Sequence, residues 1–223
     1  MESTLKFDKK NMPLRIGFFL VGLLIMGLGI SLIAISNFGN GSWDAVNIGL
    51  SEKTGLSIGI SMNIVAIIQI IIGSIINKEF PNLATMITSI CLGAFIDLWM
   101  LFIGSIEMTS KLMEFGVFML ALPVISIGIS IYLVSKLPNT PLDYFMLAIK
   151  SKLNLSLMTS KITSESIGLV LGVILGGTIG IGTIIIILAI APMMQYLQKP
   201  YNSMFDQLSK KTKFSTESST SLN

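Results

Sequence analysis

Two acidic motifs stand one in each half of the chain. Residues 40–44 read NGSWD and residues 139–143 read NTPLD, so Asn40 and Asp44 recur as Asn139 and Asp143 after 99 residues. Matching carboxylates first suggest a catalytic dyad. Other polar residues interrupt long apolar stretches: Asn63, Gln69, Asp97, Glu165 and Gln195. An ionisable side chain at membrane depth is costly unless it is paired or faces water, which makes Asp97 a functional candidate. The competing reading is an interfacial acid that ends a helix. Glu165 follows Lys161 by four residues and is read as that lysine's structural partner.

Several chemistries are excluded. The chain has no histidine, so a His-based metal site, a His general base and a Ser-His-Asp triad are impossible. Metalloproteases with His-Glu-x-x-His and rhomboid-type Ser/His pairs fall with them. The Tyr-Asp and Gly-x-Gly-Asp strings of aspartyl intramembrane proteases do not occur. Cys91 is the only cysteine and lies in an apolar run, so it forms no disulfide framework or metal cluster and reads as a packing residue. The expectation is a chain with no enzymatic activity, catalytic residue, metal or cofactor. Basic stripes interleaved with aromatics are missing too, so nucleic acid is not an expected partner.

The elements that must position these residues are membrane helices. Fifty-two per cent of the residues are apolar, 12% are charged, and the mean hydropathy is +0.81. Uncharged windows longer than 18 residues read as spans. Six spans are expected, at roughly 14–36, 57–77, 83–104, 113–136, 162–178 and 180–198. The last two are separated only by Gly176, Gly177, Gly180 and Gly182, so five spans is the alternative. The first run is too long for a signal-peptide core and reads as an uncleaved span. With the N-terminus inside, only Lys53 and Lys111 of the 15 Lys and Arg fall outside, as the positive-inside rule requires. The expected organisation is a cytoplasmic arm (1–13), a membrane domain (14–198) and a flexible cytoplasmic tail (199–223), whose Ser/Thr/Lys-rich composition buries too little to order itself.

The two motifs belong to a longer repeat. At the same offset Gly29-Ile30-Ser31 meets Gly128-Ile129-Ser130, Ser36 meets Ser135, Lys53 meets Lys152, Ser61 meets Ser160, and Gly73 meets Gly172. Each copy holds three spans, about 14–104 and 113–198. An odd number makes the second copy enter from the opposite side, which gives an inverted repeat of the kind common in secondary transporters. Small residues mark helix seams: Gly22, Gly29 and Ser36 in the first span, and Ala121, Gly128 and Ser135 in the fourth. In the fifth, Ser160, Ser164, Gly168, Gly172 and Gly176 form a four-residue stripe. Such stripes let backbones approach closely, within one subunit or, in the second reading, across a homodimer.

Locally, NTPLD reads as a helix start. Thr140 can cap, Pro141 suits the first helical position, and Asp143 stands where a capping-box acid stands. NGSWD is a looser copy with Gly41 at the cap. The short helices that follow are half a span long. They lie flat at opposite faces, with Trp43 and Tyr144 as anchors, or dip inward as re-entrant half-helices. The fold expected is thus an all-α polytopic membrane bundle with a short helix after spans 1 and 4.

Ser42-Trp43-Asp44, Gly55-Leu56-Ser57-Ile58-Gly59 and Gly93-Ala94-Phe95-Ile96-Asp97 carry a family likeness. The chain resembles the YczE/YyaS/YitT family of bacterial integral membrane proteins, over roughly residues 15–198. Members often have proline where Ser42 stands, and the second copy lacks the tryptophan. The resemblance implies a multi-pass protein of the bacterial cell membrane and no assured activity. Architecture then favours a secondary transporter or exporter of a small solute. Its path would be lined by Asp44, Asp143 and Asp97, with Asn40, Asn63, Asn139 and Gln195 as neutral partners. The alternative is a non-transporting accessory or regulatory partner of another membrane or biosynthetic system. The lipid bilayer is the partner common to both.

Overall fold

The computed structural model describes residues 11–81, 84–155, 157–177 and 179–220, without the side chains of 157, 158, 161, 191, 195 and 211–220. The described residues form eight helices and no strand. In order they are α1 (Met12–Ser36), α2 (Ser42–Thr54), α3 (Ile58–Asn77), α4 (Ala84–Ile103), α5 (Lys111–Val134), α6 (Pro141–Leu153), α7 (Leu157–Leu175) and α8 (Ile181–Thr220). Hydrocarbon offers no partner to backbone N–H and C=O groups, so long apolar runs close their hydrogen bonds internally as helices. The short α2 and α6 follow the two acidic motifs, as expected.

Matched positions of the two halves adopt matched conformations. Asn37 and Lys136 both turn left-handed (φ 52° and 53°) just after α1 and α5. Gly55 and Asn154 do the same (φ 73° and 51°) after α2 and α6. Ser36 and Ser135 each donate their hydroxyl to the carbonyl three residues back, at 2.7 and 2.6 Å. Each also accepts a bond from the backbone N–H two residues ahead.

The seam between α1 and α5 sits at the centre. A Cβ on Gly22 would fall 2.4 Å from the Tyr132 backbone nitrogen, one on Gly29 2.7 Å from that of Ile125, and one on Gly128 2.3 Å from that of Met26. Rising numbers on α1 meet falling numbers on α5, so the helices are antiparallel. Phe19, Leu23, Ile33, Phe118, Ala121 and Ile125 are buried along this core. α4 packs on α1, where Trp99 Nε1 donates to the Leu24 carbonyl at 2.9 Å. α8 packs correspondingly on α5.

The short helices pack across the halves. α2 lies on α7, with Gly168 against the Trp43 ring and Gly172 against Ala45. α6 lies on α3, with Gly73 against the Tyr144 ring. Gly73 and Gly172 are repeat mates, as are Ala45 and Tyr144, so one packing arrangement is used twice. Most of the expected packing residues sit in these seams. Gly176 does not: a Cβ there would meet nothing within 4 Å, and its φ of 78° instead turns the chain after α7.

Two expectations change. Five of the six expected spans are helices long and apolar enough to cross a membrane. In the other, α7, the apolar part among the described residues is Ile162–Leu175. The segment expected as a flexible tail from 199 is helical, since α8 continues through Pro200 to Thr220. Composition undervalued one face there. Phe205 meets Phe18 edge-on at 5.2 Å, the Arg15 guanidinium stands 5.5 Å over the Phe205 ring, and Asn11 donates to Ser209. Arg15 also donates to the Ser135 carbonyl at 2.9 Å, closing the end of α5. The start of α1, the end of α5 and residues 201–209 therefore lie at one end of the bundle.

Candidate central cavity

Asp44 and Asp143 line one cavity of about 460 Å³. Its walls come from the middle of α1 (Met26, Ile30), from α5 (Ile125, Ile129) and from α8 (Ile186, Ile190). The first turns of α2 and α6 thus point into the bundle, and Trp43 is buried rather than interfacial. A smaller cavity of about 90 Å³ adjoins it, sharing Met26, Ile30, Trp43, Asp44, Thr140 and Leu142 and adding Asn47 and Gln69.

The two helix starts differ in detail. At α6 the Thr140 hydroxyl accepts from the Asp143 backbone N–H at 3.3 Å, the expected cap. The Asp143 carboxylate accepts from the Tyr132 hydroxyl at 3.4 Å. At α2 the cap residue is Gly41, where a Cβ would sit 2.7 Å from Asp44 Oδ2. The carboxylate folds back over the cap, and a methyl group there would push this flexible side chain aside. No hydrogen bond joins the Asp44 side chain to another described residue.

The sequence did not single out Glu165 for this site. Ser42 Oγ donates to Glu165 Oε2, and Trp43 Nε1 donates to the Ser164 carbonyl at 3.1 Å, so α7 clamps the first turn of α2. Glu165 lines the same cavity and lies near enough to Asp44 for the two charges to repel. Its only signal was a carboxylate inside a span. The repeat hid it, because its mate is the apolar Ala66. Lys161, expected as its partner, lies outside the described side chains. Tyr132, unremarked in the sequence, and Ser164, read there only as part of a packing stripe, also line the cavity.

The remaining candidates sort by geometry. Asn139 lines the cavity. Asp97 does not: it accepts from Ser57 Oγ at 2.7 Å and the Gly59 backbone N–H at 2.9 Å, capping α3 from α4. Asn63 accepts from Ser89 Oγ at 2.8 Å, tying α3 to α4. Asn40 is buried beside the first turn of α2 without lining either cavity. Gln195 falls outside the described side chains. Among the described residues no three His, Cys, Asp or Glu gather as a metal site.

A family model described as DUF6198, a family of unknown function, matches residues 13–199. The chain belongs to that family. Two relatives come from Bacillus subtilis (strain 168). The uncharacterised protein YyaS is 34% identical over 169 residues, covering 75% of this chain and 84% of the relative. The uncharacterised membrane protein YczE is 26% identical over 178 residues, 79% and 82% of the two chains. A Haemophilus influenzae protein is 24% identical over 181 residues. No solved structure matches the chain. The resemblance read from Ser42-Trp43-Asp44 and Gly93–Asp97 is borne out, and with five apolar helices the chain is a multi-pass membrane protein.

Proposed function

We propose that this family member is a secondary transporter or exporter of a small solute, built as two inverted three-span repeats around the central cavity. The observation that carries the reading is that Asp44 and Asp143 line one cavity level with the middle of α1 and α5. Half-helices that start at mid-depth and face each other are how many transporters build a site. The antiparallel α1–α5 seam, the paired left-handed turns and the reciprocal packing of α2 on α7 and α3 on α6 all favour inverted halves. Topology favours it too: residues 11–18 and 201–209 lie at one end of the bundle, which supports an even number of crossings with α7 as the sixth. The positive-inside bias puts that end in the cytoplasm.

A test needs no known solute. Asn139→Cys is made in a Cys91→Ser background and treated with a membrane-impermeant thiol reagent in right-side-out and inside-out vesicles. Alternating access expects labelling from both sides, each blocked when the opposite state is trapped. Labelling from neither side would mean a sealed void and leave the aspartates as caps.

A further inference from the structure

We propose that the central cavity takes a small organic cation with an apolar body. This rests on reading the cavity as the solute site and names its substrate class.

Charge is the first argument. Three carboxylates, Asp44, Asp143 and Glu165, line the cavity, and no lysine or arginine lines it among the described residues. Two helix N-termini aim at it, and each is worth about +0.5 charge, which alone would favour an anion. They offset about one of the three negative charges. Lys161, one turn before Glu165, can cancel at most one more. The balance stays negative, and a buried negative excess calls for a cation.

Unmet hydrogen bonding is the second. Ser164 lines the cavity, is 2% exposed, and its Oγ has no partner among the described residues. Asn47 lines the adjoining space, is 6% exposed, and its Oδ1 has none either. A buried polar atom without a partner costs about 1–3 kcal/mol, so one on the cavity wall and one in the adjoining space point to a guest that satisfies them. Both oxygens can accept from an ammonium N–H.

Shape and lining complete the class. About 460 Å³ lies in the range of small-molecule sites, roughly 300–1,000 Å³. Methionine and isoleucine from α1, α5 and α8 supply much of the rest of the wall. The Trp43 and Tyr132 rings also line it, and aromatic faces attract desolvated cations. A metal ion would leave these apolar walls unused.

The test is calorimetric titration of the purified full-length protein in detergent with three probes that share one ring, benzylammonium, benzyl alcohol and phenylacetate, and with benzyltrimethylammonium as the quaternary comparison that has no N–H to donate. Benzylammonium is expected to bind saturably, at least tenfold tighter than benzyl alcohol and phenylacetate. Glu165→Gln and Asp44→Asn should each weaken it about tenfold, a loss of about 1.4 kcal/mol. Glu79→Gln, which removes an equal charge outside the cavity, should leave it unchanged. Gel filtration confirms that each variant is folded, and Ser164→Ala gives an uncharged second variant, expected to weaken primary ammonium probes more than quaternary ones. Tighter binding of phenylacetate, equal binding of all three, or no saturable cation binding up to roughly 10 mM would overturn the proposal. So would an equal effect from Glu79→Gln. A protein that binds the cation but labels from neither side in vesicles keeps this inference and loses the transport reading. One that alternates but ignores the cation does the reverse.

Discussion

Glycine-to-alanine substitutions along α1 and α5 test the central seam, because the chain supplies its own controls. Alanine is the better helix former by about 0.5–1 kcal/mol, so propensity alone makes every such change favourable. Gly17 and Gly116 are repeat mates on α1 and α5, and a Cβ on either meets nothing within 4 Å. Their substitution should be neutral or mildly stabilising. At Gly22 and Gly128 the new Cβ would lie 2.4 and 2.3 Å from the facing backbone, where ordinary contact begins at 3.4 Å, so the helices must part by about 1 Å. Overpacking of this kind costs about 1–3 kcal/mol, and backbone yields less readily than a side chain. Net destabilisation of about 1–2 kcal/mol is expected for Gly22→Ala and Gly128→Ala. Gly128 also abuts the Gly22 carbonyl, so once one change has opened the seam the other costs less, and the double variant should fall short of additive. Thermal unfolding in detergent can be followed with a thiol-reactive dye, since Cys91 in α4 is the only cysteine. If Gly22→Ala and Gly128→Ala melt with Gly17→Ala and Gly116→Ala, the helices do not approach as described and the reasoning fails.

Other substitutions separate capping from solute contact. Asp97→Ala strips two donors at the start of α3 of their acceptor and should cost about 2–4 kcal/mol in the same melt, with Asp97→Asn near half of that. An unchanged melt would return Asp97 to the functional candidates. Ser110→Ala should cost about 1 kcal/mol as a lost cap of α5, without altering cation binding. Gly41→Ala should do the opposite, since its Cβ displaces the Asp44 carboxylate, so titration should show the loss while the melt barely moves. Phe205→Ala empties a pocket against Phe18 and leaves Arg15 without its ring, with an expected loss of about 2–4 kcal/mol. A chain ending at residue 198 that melts like the full chain would refute the docked reading of that segment.

Much of the fold was legible because lipid makes hydropathy decisive. The ends of α1, α3, α4 and α5 lie within about two residues of the expected spans, since little else decides where such a helix stops. Asp44 and Asp143 were legible as a pair because the repeat conserves them internally. What the repeat does not duplicate was hidden. Glu165 has an apolar mate, and its place opposite Asp44 depends on α7 crossing to the other half, which local periodicity cannot report. The inward turn of α2 was equally hidden, because residues 37–41 fit a surface loop or a re-entrant one. The docking of 201–209 rests on one aromatic side chain whose partner lies at the far end of the chain.

The clasp of α2 by α7 has a consequence in time. Trp43 and the Ser164 carbonyl that receives its indole N–H are 121 residues apart. At about 5–20 residues per second, roughly 6–24 seconds of synthesis separate the two. During that interval α2, with Asn47, Glu52 and Lys53 among its residues, has α3 of its own half beside it but lacks the helix that clasps its first turn. Ribosome-stalled chains halted near residue 155 should therefore leave a cysteine at Ser42 open to a water-soluble thiol reagent, and chains halted after residue 200 should close it. The site is completed only when the second half arrives.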